Sequence, residues 1–266
     1  MQRLQKTDQG AAHHAAGHAD EPRLTLSVAR SLSEVEEVQR LRYKVFAEEM
    51  GAVIGGPDAR LDRDAFDLWC DHLVVRDADT LRVVGTYRIL APHRAAALGR
   101  LYADGEFDLS RLAHIRPSTV EVGRSCVHRD YRNTNAILLL WAGLAAYMRR
   151  GDYRHLIGCA SASLADGGKQ AARLRDELQA YLTDAEQRAF PRVSFPHEQI
   201  ERAANAVLPP LIKGYLRLGA RVCGEPAWDP DFNTADFLVW LPLDKLEPRY
   251  ARHFNLLAEQ AASPAR

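Results

Sequence analysis

Residues 119–161 constrain the chain most. They read as an alternating strand, "TVEVGRSCV", a polar turn, "HRDYRNTN", an apolar run, "AILLLWAGLAAYM", and a second short apolar stretch, "HLIGCAS". A strand that passes through a helix into another strand of the same sheet makes a right-handed crossover, which lays the two strands parallel. The first of these strands leads at once into a helix apolar enough to be buried, yet it carries Glu121, Arg124 and Cys126. A buried carboxylate is costly unless it is paired or used.

The surrounding pattern predicts an α/β chain with a mostly antiparallel sheet. "LTLSVAR" (24–30) alternates as a strand does. Ser33, with Glu36 three residues on, reads as a capping box for a helix carrying Val35, Val38, Leu41, Val45 and Phe46 at helical spacing and ended by Gly51. Residues 51–71 lack a period and predict a long loop, often a functional feature in a compact domain. "HLVVRD" and "LRVVGTYRIL" predict two strands joined by a turn at 78–80. Further on, helices are expected at 169–181 and in "LPPLIKGYLRLGA", closed by Gly219, then strands in "RVCGE" and "ADFLVWLPL", then a turn and short helix in "LDKLEPRYARHF". No repeat and no interior linker appears. The expected organisation is a disordered tail over 1–22, one domain over 23–257 and a flexible tail over 258–266.

Composition excludes several classes. Formal net charge is zero, against a nucleic-acid binder. The four cysteines form no CxxC pair, against a zinc ribbon or a redox motif, and no metal is expected. No apolar run approaches the roughly 18–20 residues of a membrane span. With no secretory signal, a cytoplasmic protein with reduced thiols is the expectation.

The order strand, "VHRDYRNTNAI", apolar helix, strand resembles the core motif of the GNAT acyltransferase superfamily. That resemblance implies a GNAT-like α/β fold: a mixed, mostly antiparallel sheet with a central splayed parallel pair flanked by helices. In that superfamily the turn cradles the coenzyme A pyrophosphate at a helix N-terminus. Here Arg132 is in place, but Asn133, Asn135 and Ile137 stand where glycines are expected. The departure favours an acyl group carried on the phosphopantetheine of acyl carrier protein over the coenzyme A thioester.

"LRYKVFAEEM", "LDRDAFD", "GTYRIL" and "EVGRSCV" occur in the order seen in acyl-homoserine-lactone synthases, with Arg42, Phe46, Asp64, Asp67, Arg88, Glu121 and Arg124 at the matching positions. The widest resemblance, through "CDHLVV", "GRSCVHRDYR", "LLLWAGLAAY", "LIGCAS" and above all "LPPLIKGYLRLGARVCGEPAWDPDFNTADFLVWLPLDKL", is to the L-ornithine Nα-acyltransferases of bacterial ornithine-lipid synthesis. It implies transfer of a 3-hydroxyacyl chain from acyl carrier protein to the α-amine of ornithine, giving lyso-ornithine lipid. It also implies no tightly bound cofactor and peripheral contact with the inner face of the membrane, where the product goes.

Each candidate residue has a structural alternative. Glu121 is a candidate general base, or the partner of Arg124 or Arg88. Arg124 and Arg88 are candidate clamps for an amino-acid carboxylate, or anchors for Asp64, Asp67 and the long loop. Arg42 faces the loop carboxylates or solvent. Asp64 and Asp67 would receive the ornithine side-chain ammonium, or hold a turn; Asp62 is the weaker member. Cys126 and His128, two apart on a strand, would share a face; as a thiolate–imidazole pair they would form an acyl-enzyme, while the GNAT resemblance implies direct transfer. Arg129, Arg132, Asn133 and Asn135 are candidates for the carrier's phosphopantetheine and acidic surface, or are solvated. The helix at 169–181 would lie on a membrane or pack on the core. Rival readings are an autoinducer synthase using S-adenosylmethionine, an N-acyltransferase for another amine, and a non-catalytic carrier- or membrane-binding protein.

Overall fold

The computed structural model describes residues 22–54 and 60–246. Nearly all of the expected N-terminal tail, the C-terminal tail and the short helix expected after Leu246 lie outside the described residues.

The chain opens with β1 (Leu24–Val28) and helix α1 (Leu32–Tyr43). The helix begins one capping box earlier than its sequence suggests. Ser31, not Ser33, is the N-cap: its hydroxyl accepts the Glu34 N–H at 3.2 Å, and the Glu34 carboxylate accepts the Arg30 N–H at 2.6 Å. The S-x-x-E spacing occurs twice, two residues apart, and only the first instance directly follows the extended strand. Beyond Tyr43 the helix widens into a π-type turn over Lys44–Glu49 and stops at Gly51, whose φ of 78° suits glycine. Such widened turns recur at functional sites.

Next come β2 (Asp71–Asp77), β3 (Val83–Leu90) and the short helix α2 (Pro92–Leu98), then β4 (Phe107–Asp108), a 3₁₀ run over Ser110–Ser118, and β5 (Thr119–Val127). Helix α3 (Ala136–Arg150) crosses to β6 (His155–Ser163). The remainder is α4 (Lys169–Leu178), β7 (Phe190–Pro191), α5 (Pro210–Leu218), β8 (Arg221–Val222), β9 (Ala227–Asp229) and β10 (Thr234–Pro242). The segment expected as the strand "RVCGE" is thus only two residues of strand. Helix α5 ends as predicted at Gly219, with φ 98°.

The main sheet runs β1-β2-β3-β5-β6-β10-β8, with β9 also on β10. Pairing is antiparallel except between β5 and β6, as the crossover predicts. That parallel ladder has only three steps, Thr119–His155, Val120–Leu156 and Glu121–Ile157. Past Glu121 the two strands separate and leave a wedge in the middle of the sheet. The close approach at its apex depends on Gly158, where a Cβ would sit 2.5 Å from the Val122 carbonyl oxygen.

Helix α3 buries Leu140, Leu144 and Met148 in the main core, which also holds Leu73, Val75 and Tyr87 of β2 and β3. At roughly 1.5–3 kcal/mol for each fully buried large apolar side chain, this packing dominates the local energetics. Helix α4 likewise buries Leu174 and Leu178 in that core, the packing alternative for that segment. The opposite face of the sheet meets a second cluster built on Phe107, Leu112, Leu238 and Trp240. Among the described residues no helix is long and apolar enough to cross a membrane.

Candidate active site

The wedge between β5 and β6 opens into a cavity of about 430 Å³. Pockets for small ligands run from about 300 to 1,000 Å³. Strand β5 lines it from Glu121 to Val127, β6 contributes Cys159 and Ser161, and β10 contributes Thr234 and Asp236. The widened turn after α1 adds Val45, Phe46, Glu49 and Met50, and Phe66, Tyr102, Asp229 and Phe232 are also on the wall.

Glu121 and Arg124 are three apart on a strand and would ordinarily face opposite ways. They line one cavity because β5 bulges there. Thr86 lies opposite Cys126 and Arg88 opposite Gly123, so three steps on β5 match two on β3, and Arg124 takes a left-handed φ of 50°. A non-glycine residue held there is strained, and such strain clusters at functional sites. Cys126 and His128 do not form a pair, because β5 ends at Val127 and His128 already caps the next turn. Cys126 lines the cavity, whereas His128 does not; its Nε2 lies 2.6 Å from Arg82.

Glu121 sits at the wedge's apex, 5% exposed. One carboxylate oxygen accepts the Tyr102 N–H at 2.5 Å and the other the Ala103 N–H at 2.7 Å. Burial pushes this carboxyl up to about 7, partly offset by those two hydrogen bonds and by the charge of Arg88. A carboxyl balanced near neutrality matches what a general base requires.

Beside it lies a balanced lattice of three arginines and three aspartates. Arg42 is fully buried and donates to both oxygens of Asp67 at 2.9 and 2.8 Å, while its Nε lies 2.8 Å from Asp62. Arg88 donates to both oxygens of Asp64 at 2.7 Å and to Asp67 at 3.1 Å. Arg124 approaches Asp62 at 3.2 Å and Asp64 at 3.6 Å, and its guanidinium lies over the Phe232 ring at 4.2 Å. Burial alone would raise the Asp67 carboxyl, but the hydrogen bonds and charge of Arg42, with the charge of Arg88, hold it well below the usual carboxylate range.

These contacts locate the sequence candidates. Glu121, Arg124, Arg88 and Phe46 line the cavity, as does Arg132 at its edge. Arg42, Asp64 and Asp67 do not. Arg42 faces the loop carboxylates and has no solvent to face. Asp64 and Asp67, expected to receive an ammonium, are neutralised by arginines instead. Asp62, read as the weaker member, is as deeply built into the lattice as the others. Arg132 pairs with Glu49 at 2.6 Å and donates to the Val127 carbonyl at 3.1 Å. Arg129, Asn133 and Asn135 are exposed and off the cavity, and neither asparagine adopts a left-handed backbone.

The thiol-nucleophile reading fits poorly. Burial pushes the Cys126 thiol up to about 12 and that of Cys159 well above its ordinary value. A nucleophilic cysteine needs the reverse. Sequence reasoning missed Tyr102, Cys159, Ser161, Phe232 and Asp236. The available signal was Asp236 itself, a lone carboxylate in the strand "TADFLVWLP", directly before its apolar run.

The model of the acetyltransferase (GNAT) domain family matches residues 41–142, which span the first helix to the crossover helix. Among solved structures, the acyl-homoserine lactone synthase BjaI with SAM and isopentyl-CoA is 15% identical, covers 91% of this chain and 92% of its own, and superposes with a TM-score of 0.53. FeeM, an N-acyl amino acid synthase from uncultured soil microbes, gives 0.53 at 12% identity, covering 84% of this chain and 92% of its own. Both likenesses concern the fold. Sequence relatives are nearer. The L-ornithine Nα-acyltransferase of Rhizobium meliloti (strain 1021) is 35% identical over 91% of this chain and 87% of its own length. That of Rhodobacter capsulatus is 37% identical over 88% and 95%. With the GNAT-type wedge, the buried carboxylate at its apex and this end-to-end similarity together, the chain belongs to the L-ornithine Nα-acyltransferase family and is an N-acyltransferase.

Proposed function

We propose that this enzyme transfers a 3-hydroxyacyl chain from acyl carrier protein to the α-amine of L-ornithine, giving lyso-ornithine lipid. The observation that carries the mechanism is the placement of Glu121 at the apex of the wedge, facing a cavity that also presents Arg124. The acceptor identity is supported by what the relatives are named for.

In this reading the amine attacks the thioester directly. Glu121, alone or through one water, takes the proton that the amine must lose; as the amide C–N bond forms and the thioester C–S bond breaks, the phosphopantetheine sulfur leaves and takes up that proton. The α-carboxylate is held on the cavity edge of Arg124, whose guanidinium is fixed by Asp62, Asp64 and Phe232. Holding the carboxylate orients the adjacent amine. A backbone N–H of β5 beyond Glu121, where pairing with β6 has ended, stabilises the developing oxyanion. Phe46, Met50 and Val45 offer an apolar wall for the acyl chain.

Acyl carrier protein as donor is supported at the turn before α3. That turn lacks the glycines of a pyrophosphate cradle, while exposed Arg129 and half-exposed Arg132 offer charge to an acidic carrier. The product being a lipid, release at the inner membrane surface completes the reading.

A mass-spectrometric transfer assay tests it. The donor is 3-hydroxyacyl carrier protein or the matching coenzyme A thioester; the acceptors are ornithine, lysine, glutamine, glycine and S-adenosylmethionine. Acyl-ornithine formed preferentially from the carrier is the expected result. A lactone from S-adenosylmethionine, a preferred different amine, or no product would overturn the proposal.

A further inference from the structure

The arginine–aspartate lattice is charge-balanced; the other end of the cavity is not. There Cys159 of β6 and Asp236 of β10 line the wall, and half-buried Glu106, which follows the turn Ala103–Gly105 and is not itself on the lining, lies next to them: the three bring one polar atom each to within 4.8 Å of one another. Asp236 is 4% exposed and lines the cavity, with Asp229 also on the wall. One oxygen of the Asp236 carboxylate accepts the Thr234 hydroxyl at 2.8 Å. Oε2 of Glu106 is buried and meets no hydrogen-bond donor among the described residues. No lysine or arginine among the described residues forms an ion pair with Glu106, Asp229 or Asp236; Arg124 acts on Glu106 and Asp236 through its charge while its ion pairs go to Asp62 and Asp64. Buried carboxylates without a cation are rare because the desolvation goes uncompensated.

We infer that Glu106 and Asp236 form the subsite for the side-chain ammonium of the amino-acid acceptor, and so set the preference for a diamino acid. The inference rests on the acceptor reading above and replaces Asp64 and Asp67 in that role. An ammonium brings the missing charge and three N–H donors to a site rich in acceptors, one of them unpartnered. It also completes a three-point hold: carboxylate on Arg124, α-amine toward Glu121, side-chain nitrogen on the Glu106–Asp236 pair. Burial, and after it the charge of Asp236, pushes the Glu106 carboxyl up; burial pushes that of Asp236 up against the hydroxyls of Thr234 and Ser161. A bound ammonium reverses both shifts. The same three atoms have the spacing of a metal site, but a metal would require the Cys159 thiolate, and burial together with the Glu106 charge keeps that thiol protonated.

The test compares kcat/KM for ornithine with that for norvaline, the same chain without its ammonium, at saturating 3-hydroxyacyl carrier protein. Wild-type enzyme is expected to favour ornithine by about 10-fold or more, the scale of one charge-assisted hydrogen bond. Asp236→Asn and Glu106→Gln are each expected to lower that ratio about 10-fold. A merely structural role would lower both rates in parallel and keep the ratio, and that result overturns the inference alone. So does a wild-type ratio near one, which needs no variant to fold, or activity lost to a chelator and restored by a divalent cation. A wild type that acylates neither amino acid overturns the acceptor reading and this inference with it.

Discussion

Arg42 of α1 and Asp67 of the long loop, both almost wholly buried, are joined by two parallel hydrogen bonds of 2.9 and 2.8 Å. The pair ties the helix that widens into the cavity wall to the loop that carries Asp62 and Asp64. Removing one partner strands a buried charge. Asp67→Asn is therefore expected to destabilise the protein by about 3–5 kcal/mol, read as a lower urea midpoint with an unchanged slope. Because the folded carboxyl is held below its ordinary value, its contribution is fully present above about pH 4 and is lost as pH falls further. The wild type should thus lose stability more steeply than the variant as pH falls below that point.

The Glu121 carboxyl is shifted in the opposite direction to that of Asp67. It is pushed up to about 7 and accepts a proton only when ionised. The kcat/KM for ornithine should rise with pH through an apparent pKa near 7. Glu121→Gln should remove that limb, leaving the titration of the amine itself, and lower the rate about 100- to 10,000-fold. A pH–rate profile of both proteins checks it.

Arg124→Lys keeps the charge but loses the planar fork and its seat on Phe232. Loss of a charge-assisted contact worth about 1.5–3 kcal/mol should raise KM for ornithine roughly 10- to 150-fold. The KM for the acyl carrier should change far less. Steady-state kinetics with each substrate varied in turn separates the two.

Gly158→Ala tests the apex of the wedge. The added methyl would fall 2.5 Å from a backbone oxygen that cannot swing aside, so β5 and β6 must part. A loss of about 1–3 kcal/mol is expected from overpacking, with a fall in kcat from displacement of Glu121. Thermal unfolding together with the transfer assay measures both.

The crossover and the antiparallel strands were legible because α3 and the strands around it obey simple periodicities. The capping box was misplaced because Ser31 and Ser33 each begin the same four-residue pattern. Residues 91–118 escaped because α2 has only seven residues, β4 only two, and the 3₁₀ run around Pro117 carries no period. At the site, Glu121 stood out as a carboxylate in a strand that must be buried. That Arg124 joins it depends on a bulge, and no pattern in "EVGRSCV" announces a left-handed arginine. Asp236 offered the same signal as Glu121, a lone acid in an apolar strand. Its neighbours come from distant segments: the β6–β10 pairing sets Cys159 beside it, and Glu106 arrives from the segment between the turn Ala103–Gly105 and β4.

The measurement that tests the central claim most directly is single-turnover transfer from 3-hydroxyacyl carrier protein to ornithine, followed by mass spectrometry, in wild-type and Glu121→Gln enzyme of equal folded content. Acyl-ornithine should form with the wild type and appear at least about 100-fold more slowly in the variant. Equal rates, or no acyl-ornithine from the wild type, would contradict it.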